Sequence, residues 1–436
     1  MKITVIGGGS YAWMPHLLPN FISNEFFTGV HICLMDINEN ALSDILAYTE
    51  KLKEARPGTG ITFSTQTDLR KALDNADYVI LAISQGGLKA ELDDHVIARK
   101  YGHYNIKGSE VGIAGASRTL RHVRESVRIA RLMETHCPGA MLLNVTNPLT
   151  AITRSVEKYT TIRAAGFCHG VNNHLQPLLP FIGCENKNEL EFTVGGLDHC
   201  SFLLDLKYKG QDALQIMRKT GLIDKVLSGE KAAAYDDPFA GRENQRLRFL
   251  LWNIIGYLPS LSDEHCAEFY GQLVGTQELR EHYKWSYDRI EERTKTVAHD
   301  KEHVLAMICG EHPVSLAPSS EIIDRFIQAL HGGGAFVDVL NYRNIGQIPN
   351  LPMDTIVETK CLIDSVGVHP VMVGNLPPIV ESIARPVAIR EELFMQAGIE
   401  ENVQKLKWAL STDPLVNEFR NIDALCDELM TYNLQF

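Results

Sequence analysis

The chain has 436 residues, 45% hydrophobic and 22% charged, with a net charge of −12. That length exceeds what one core usually holds, so two domains or one elaborated domain are expected. The composition is globular, and the acidic balance excludes a nucleic-acid partner, which needs a basic surface for the phosphates. No apolar run reaches the roughly 18 residues that span a bilayer. Met1 leads straight into an apolar strand without a basic leader, so neither a membrane partner nor a signal peptide is expected. The nine cysteines are scattered and odd in number, which fits a reducing compartment and predicts a cytoplasmic location.

Five short apolar runs predict strands over 3–6, 31–36, 78–83, 141–145 and 164–168. They are continuous rather than alternating, as strands buried on both faces of a parallel sheet are. Helical runs at 39–55 and 120–137 lie between them, which predicts an α/β, Rossmann-like, doubly wound sheet over residues 1–170. After Gly170 the pattern changes. Runs 190–194 and 201–209 read as antiparallel strands joined around Gly195-Gly196. Helices are expected over 242–255 and 283–295, a strand over 335–340, turns over 341–352, and helix through most of 377–436. No repeat or flexible linker separates the parts, so residues 171–436 are expected as an α+β domain packed on the first.

Gly7-Gly8-Gly9-Ser10-Tyr11-Ala12 follows the first strand and satisfies G-x-G-x-x-G/A, with Ala12 in the third slot. Gly7 permits the tight turn and Gly9 the approach of backbone to a pyrophosphate, while the following helix start, with Ser10, offers N–H groups to phosphate. Asp36 ends the second strand, where a carboxylate bonds both ribose hydroxyls and repels a 2′-phosphate, which favours NAD over NADP. Cys168 and Asn147 end neighbouring strands, on the rim where open α/β sheets bind ligands. Cys168 and His199 supply two ligands to a metal completed by water and substrate, or else are a small core residue and a loop residue. Asp263-Glu264-His265 is an acid–base cluster or a solvated turn.

At these residues the chain resembles family 4 of the glycoside hydrolases, the NAD-dependent glycosidases. The resemblance runs through Gly7–Ser10 and Asp36, residues 112–121, Val145–Pro148, Gly166–His169, Gly195–His199, Ser262–Phe269 and residues 341–358. The nearest branch is the α-galacturonidase type, on Cys168-His169 and the segment from Asp263 through His265 to Glu268-Phe269. The resemblance implies the lactate/malate dehydrogenase-like fold, NAD, and a divalent cation, usually Mn²⁺, on Cys168 and His199. It implies that Asn147 touches the sugar. It also implies a mechanism outside the two-carboxylate scheme. NAD⁺ oxidises sugar C3, the C2 proton leaves, the C1 group is eliminated, water adds, and C3 is reduced again.

Relatives with phosphorylated substrates carry a tyrosine base where Ile255 stands here, with Tyr257 two residues on, so Asp263 is expected as base. Glu110 stands near an aspartate of the family and is expected as acid, and His169 replaces another family aspartate as a further catalytic or sugar-binding group. Asp198 replaces a common asparagine, and its charge beside His199 strengthens metal binding from behind. Arg118 and Arg121 bind an anionic sugar group, cap a helix or contact NAD. The substrate is expected to be an α-linked uronide or neutral hexoside, and the resemblance suggests a homodimer or homotetramer. The alternatives are a 6-phospho-glycosidase of the same family and a 2-hydroxy acid dehydrogenase; Val171 after His169-Gly170 counts against the latter.

Overall fold

The computed structural model describes residues 1–228, 245–285 and 289–436. Its strands are β1 (Lys2–Ile6), β2 (His31–Met35), β3 (Thr62–Gln66), β4 (Tyr78–Leu81), β5 (Met141–Asn144) and β6 (Arg163–Gly166). They continue with β7 (Leu190–Leu197), β8 (Cys200–Tyr208), β9 (Gln211–Asp212), β10 (Leu258–Pro259), β11 (Phe336–Arg343), β12 (Ile356–Asp364) and β13 (Gly367–Pro370). The first six form a parallel sheet in the order β6-β5-β4-β1-β2-β3. Along β1, Ile3 and Val5 enter the core on one face and Ile6 the core on the other. This double burial is why the runs are continuous.

Three strands from the second part extend the same sheet. β11 joins the edge of β6 antiparallel, through Asn341 opposite Gly166, and β12 and β13 follow it. β7, β8, β9 and β10 form a separate antiparallel sheet.

The helix Glu39–Ala55 coincides with its expected span. Several expectations need correction. The helix expected from 120 begins at Gly112, because Gly112 to Ser117 are buried and tertiary packing overrides the low helix propensity of glycine. A side chain at Gly115 would meet the Glu110 backbone at 2.6 Å. β7 runs through Gly195-Gly196, and the hairpin turns at Asp198-His199 instead. The helix expected over 283–295 is two helices, Gln277–Tyr283 and Arg289–Cys309, the first stopped by Lys284 in the left-handed region at φ 57°. Residues 286–288 of that span, and 242–244 of the helix expected over 242–255, lie outside the described residues; the latter is described as Arg246–Ile255. The strand expected to end at 340 continues through Arg343, so Asn341 pairs in the sheet rather than turning.

The helix Gly112–His136 is tied to the loop after β4 and to the helix Gly87–Lys100 by buried polar contacts. Arg121 forms a two-pronged pair with Asp94, at 2.6 and 2.7 Å, and donates to the Gln85 carbonyl. Arg121 is thus a structural residue and not a sugar ligand. His122 shares its Nδ1 proton with the Arg118 carbonyl at 2.9 Å and accepts the Gln85 N–H at Nε2 at 3.1 Å. Burial, with Arg121 and Arg118 nearby, holds its pKa well below the ordinary value. Such a histidine binds fewer protons folded than unfolded, so its contribution is present above about pH 6.5 and lost as the pH falls. Urea unfolding between pH 7.5 and 5.5 should therefore show stability falling toward acid. The slope in His122→Gln should be shallower by up to about 1.4 kcal/mol per pH unit; equal slopes would contradict this role.

Candidate active site

The glycine loop opens at the end of β1. Gly7 and Gly8 both donate their N–H to the Met35 carbonyl, at 2.9 and 2.8 Å, which folds the chain sharply over β2. Gly7 takes φ 91°, and a Cβ there would stand 2.0 Å from the Ala82 oxygen, so only glycine fits. Asp36 accepts the Gly9 N–H at 3.0 Å with one oxygen and the Asn38 N–H at 3.0 Å with the other. Gly7, Gly9, Ser10, Trp13 and Asp36 line a cleft of about 440 Å³. The helix Met14–Ser23 starts at its edge. The cleft lies at the carboxyl ends of the parallel strands, where such sheets bind dinucleotides.

A second group of side chains stands on the same rim. Cys168 lies just beyond β6, and the β7–β8 hairpin brings its turn to it. His199 sits in that turn at φ 61°, in the left-handed region that histidine enters more readily than bulky apolar residues. Cys168 Sγ is 3.7 Å from His199 Nε2, and Asp198 Oδ2 is 3.6 Å from the same nitrogen. The three ligand atoms lie within 4.8 Å of one another. The Gly170 N–H donates to Cys168 Sγ at 3.3 Å, and Glu110 meets His199 Nδ1 at 2.8 Å.

Behind them, the pairing of Gly166, Asn341 and Glu358 across β6, β11 and β12 sets two more polar side chains in line. Asn341 Nδ2 donates to both Asp198 Oδ1 and Glu358 Oε1, at 3.2 and 3.3 Å, and Ser201 Oγ donates to Glu358 Oε2 at 2.5 Å.

The site is crowded with buried acids. Glu110, Asp198, Glu358 and Glu391 are all buried. Burial pushes each carboxyl upward, and their neighbours add to it: Glu268 for Glu110, Glu110 for Asp198, Asp198 for Glu358, and Glu110 with Asp198 for Glu391. Burial, then Asp198 and Glu358, raises the Cys168 thiol, while burial lowers His199. Among the described residues, no nitrogen or hydroxyl donor reaches Glu110 Oε1, Asp198 Oδ2 or either Glu391 oxygen. A surplus of buried acceptors around a thiol and an imidazole suits a divalent cation, which repays their desolvation.

The segment after β10 supplies three residues with three different jobs. Asp263 accepts the N–H of Leu247 at 3.0 Å and of Arg248 at 2.7 Å, holding the start of the helix Arg246–Ile255. His265 turns its ring to His199, with centroids 4.2 Å apart. Glu268 accepts the N–H groups of Ile106, Lys107 and Gly108, at 2.6 to 3.1 Å, which fixes the loop leading to Glu110.

The structure thus brings together Cys168, His199 and Glu110, with His169 beside them. His169 meets Glu321 at 2.6 Å, and its ring lies 6.1 Å from that of Trp13, which links this group to the glycine-loop cleft. Asn147 is half-buried on the same rim, in a cis peptide with Pro148. Arg118 is held by Glu91 at 3.2 Å. Both oxygens of Asp263, the residue expected as base, accept backbone N–H groups, and its side chain is buried. His265, part of the acid–base cluster expected from sequence, presents a half-exposed imidazole here, while Asn341 and Glu358 lie in the matched segment 341–358 but carried no expected role. The row of β-pairings that aligns the last two is a contact across far-separated strands.

Sequence models described as family 4 glycosyl hydrolase and its C-terminal domain match residues 2–179 and 194–416. The chain belongs to family 4 of the glycosyl hydrolases. It is a glycosidase. An α-galactosidase of Bacillus subtilis is 28% identical over 434 residues, covering 98% of this chain and 97% of that protein. An α-galacturonidase of Thermoanaerobacterium saccharolyticum is 30% identical over 433 residues, covering 95% and 92%. The solved structure of a 6-phospho-α-glucosidase from gut microorganisms, in complex with NAD and Mn²⁺, superposes with a TM-score of 0.82 at 19% identity, covering 99% of this chain and 98% of that one. That likeness shows the Rossmann-type fold is shared. Among the described residues no helix is long and apolar enough to cross a membrane.

Asp263→Ala strands two buried backbone donors. The variant should lose about 2–3 kcal/mol of unfolding free energy in urea. Wild-type stability in that variant would contradict the anchoring role.

Proposed function

We propose that this family 4 enzyme is an NAD- and divalent-cation-dependent α-glycosidase acting on a galactoside or galacturonide. One observation carries the reading: the Cys168, Asp198 and His199 cluster adjoins a dinucleotide cleft through the His169 and Trp13 contact. Such a pairing has a use only if hydride transfer and carbonyl polarisation act on the same molecule. Bound NAD⁺ supplies reversible hydride acceptance at sugar C3, and a bound cation such as Mn²⁺ supplies Lewis-acid polarisation of the neighbouring oxygens.

The chain's own residues supply the rest. Residues 1–170 would carry the nucleotide, with Asp36 on the ribose and the Gly7, Gly9 and Ser10 backbone at the pyrophosphate. Residues 171–436 would bring His199 to Cys168 to hold the cation. Asn147 would orient the sugar. Arg118 and Lys107, each already balanced by one carboxylate, are the nearby cations that would meet a carboxylate on a uronide. We assign proton removal at C2 to His265, whose ring faces the cluster, rather than to Asp263. Glu321 occupies His169 Nδ1, so proton delivery to the leaving oxygen would fall to His169 Nε2. Glu110 would orient His199. Nine unpaired cysteines support a cytoplasmic site of action. A homodimer or homotetramer is the assembly we expect, read by light scattering.

The direct test is a panel of p-nitrophenyl α-galactoside, α-galacturonide and α-galactoside 6-phosphate, with and without NAD⁺ and Mn²⁺. Release from the first two should require both additions, and the phosphorylated substrate should be the poorest. His265→Gln should lower kcat by about 10²-fold or more on the best substrate. Hydrolysis independent of NAD⁺ would overturn the mechanism, and an unaltered kcat in that variant would remove His265.

A further inference from the structure

The geometry points to Asp198 as a third protein ligand of the divalent cation, binding through Oδ2 beside Cys168 and His199. The inference rests on the proposed cation site and adds a residue that changes its charge. His199 Nδ1 is taken by Glu110, which leaves Nε2 toward the cluster. Asp198 Oδ1 is taken by the Asn341 amide, which leaves Oδ2. Each side chain is anchored by one atom and presents the other, as ligands held by a supporting shell do. Asp198 is wholly buried, and among the described residues Oδ2 receives no nitrogen or hydroxyl donor. What it faces is the Cys168 thiol and, at 3.6 Å, His199 Nε2.

The spacings agree with a shared ion. Bonds of about 2.3 Å to sulfur and about 2.1 Å to nitrogen or oxygen set two donor atoms about 3 Å apart at the right angle of an octahedral ion and about 3.4–3.6 Å apart at a tetrahedral angle. The observed separations are 3.7 and 3.6 Å. The turn contributes as well. Asp198 and His199 are consecutive at the tip of the hairpin, between the paired residues Leu197 and Cys200, so one rigid turn delivers both ligands.

The consequence is electrostatic. With thiolate and carboxylate both bound, a divalent ion is neutralised by the protein alone. An asparagine at 198 would leave the site with one positive charge. The carboxylate therefore favours tight retention of a hard cation before substrate arrives.

The test is a Mn²⁺ titration of the full chain, reading free Mn²⁺ by electron paramagnetic resonance, with NAD⁺ affinity and far-ultraviolet circular dichroism as controls. Asp198→Asn keeps shape and hydrogen bonding and removes the charge; its Mn²⁺ affinity should fall by about tenfold or more, with NAD⁺ affinity unchanged. Asp198→Cys replaces oxygen by a soft ligand and should shift preference from Mn²⁺ toward Zn²⁺ relative to wild type. The metal preference of Asp198→Cys also carries the test should Asp198→Asn fail to fold. Weakened Mn²⁺ binding with unchanged preference would make Asp198 a positioning residue and overturn direct ligation. Wild-type affinity in Asp198→Asn, with weakened binding in Cys168→Ser, would leave the ion to Cys168 and His199 and overturn the inference alone. Wild-type affinity in Cys168→Ser as well would remove the cation site itself.

Discussion

Just beyond β6 the fold sets a half-buried thiol beside several buried carboxyls, and much of the site follows from how that charge is tolerated. Cys168, Glu110, Asp198, Glu358 and Glu391 are each driven toward the neutral form by burial and by their acidic neighbours. A protein keeps such an arrangement only where partners repay the desolvation. Some of that repayment is internal. Asn341 and Ser201 donate to the inner carboxyls, and His199 lies between Glu110 and Asp198. The oxygens that no donor reaches point to a cation as the remainder.

The sheet explains how these groups come to lie together. A Rossmann-type sheet ordinarily ends at its edge strand. Here β11 and β12 are added beyond β6, and their pairing sets Asn341 and Glu358 level with Gly166. A Cβ at Gly166 would lie 2.3 Å from a Leu149 methyl and 3.0 Å from the Asn341 Cβ, so these neighbours pack directly on the glycine. The smaller sheet then lowers its hairpin turn onto Cys168. The nucleotide cleft and the acid cluster are therefore two stations on one rim, bridged by Trp13 and His169.

Local pattern made the first half legible. β1, β2, β4, β5 and β6 are apolar because both faces are buried, and the glycine loop announces itself through Gly7 and Asp36. Cys168 and His199 stood out as metal-ligand types at strand ends. What local pattern hid was set by contacts far apart in sequence. β3 is a half-exposed polar edge strand, and β12 is recognisable as a strand only beside β11. Asp263, His265 and Glu268 sit within six residues of one another, yet one anchors a helix, one faces the ligand cluster and one gathers a loop. Residue type and spacing marked that segment as important. The division of labour follows from what each side chain meets.

The central claim is that hydride is borrowed from the sugar and returned within one turnover. It is tested most directly by hydrolysing an α-galactoside in D₂O with NAD⁺ and Mn²⁺ and locating deuterium in the released sugar by nuclear magnetic resonance. The account predicts deuterium at C2, where a proton is exchanged with solvent, and protium retained at C3, where the same hydride returns. Released sugar with protium at both carbons would contradict it.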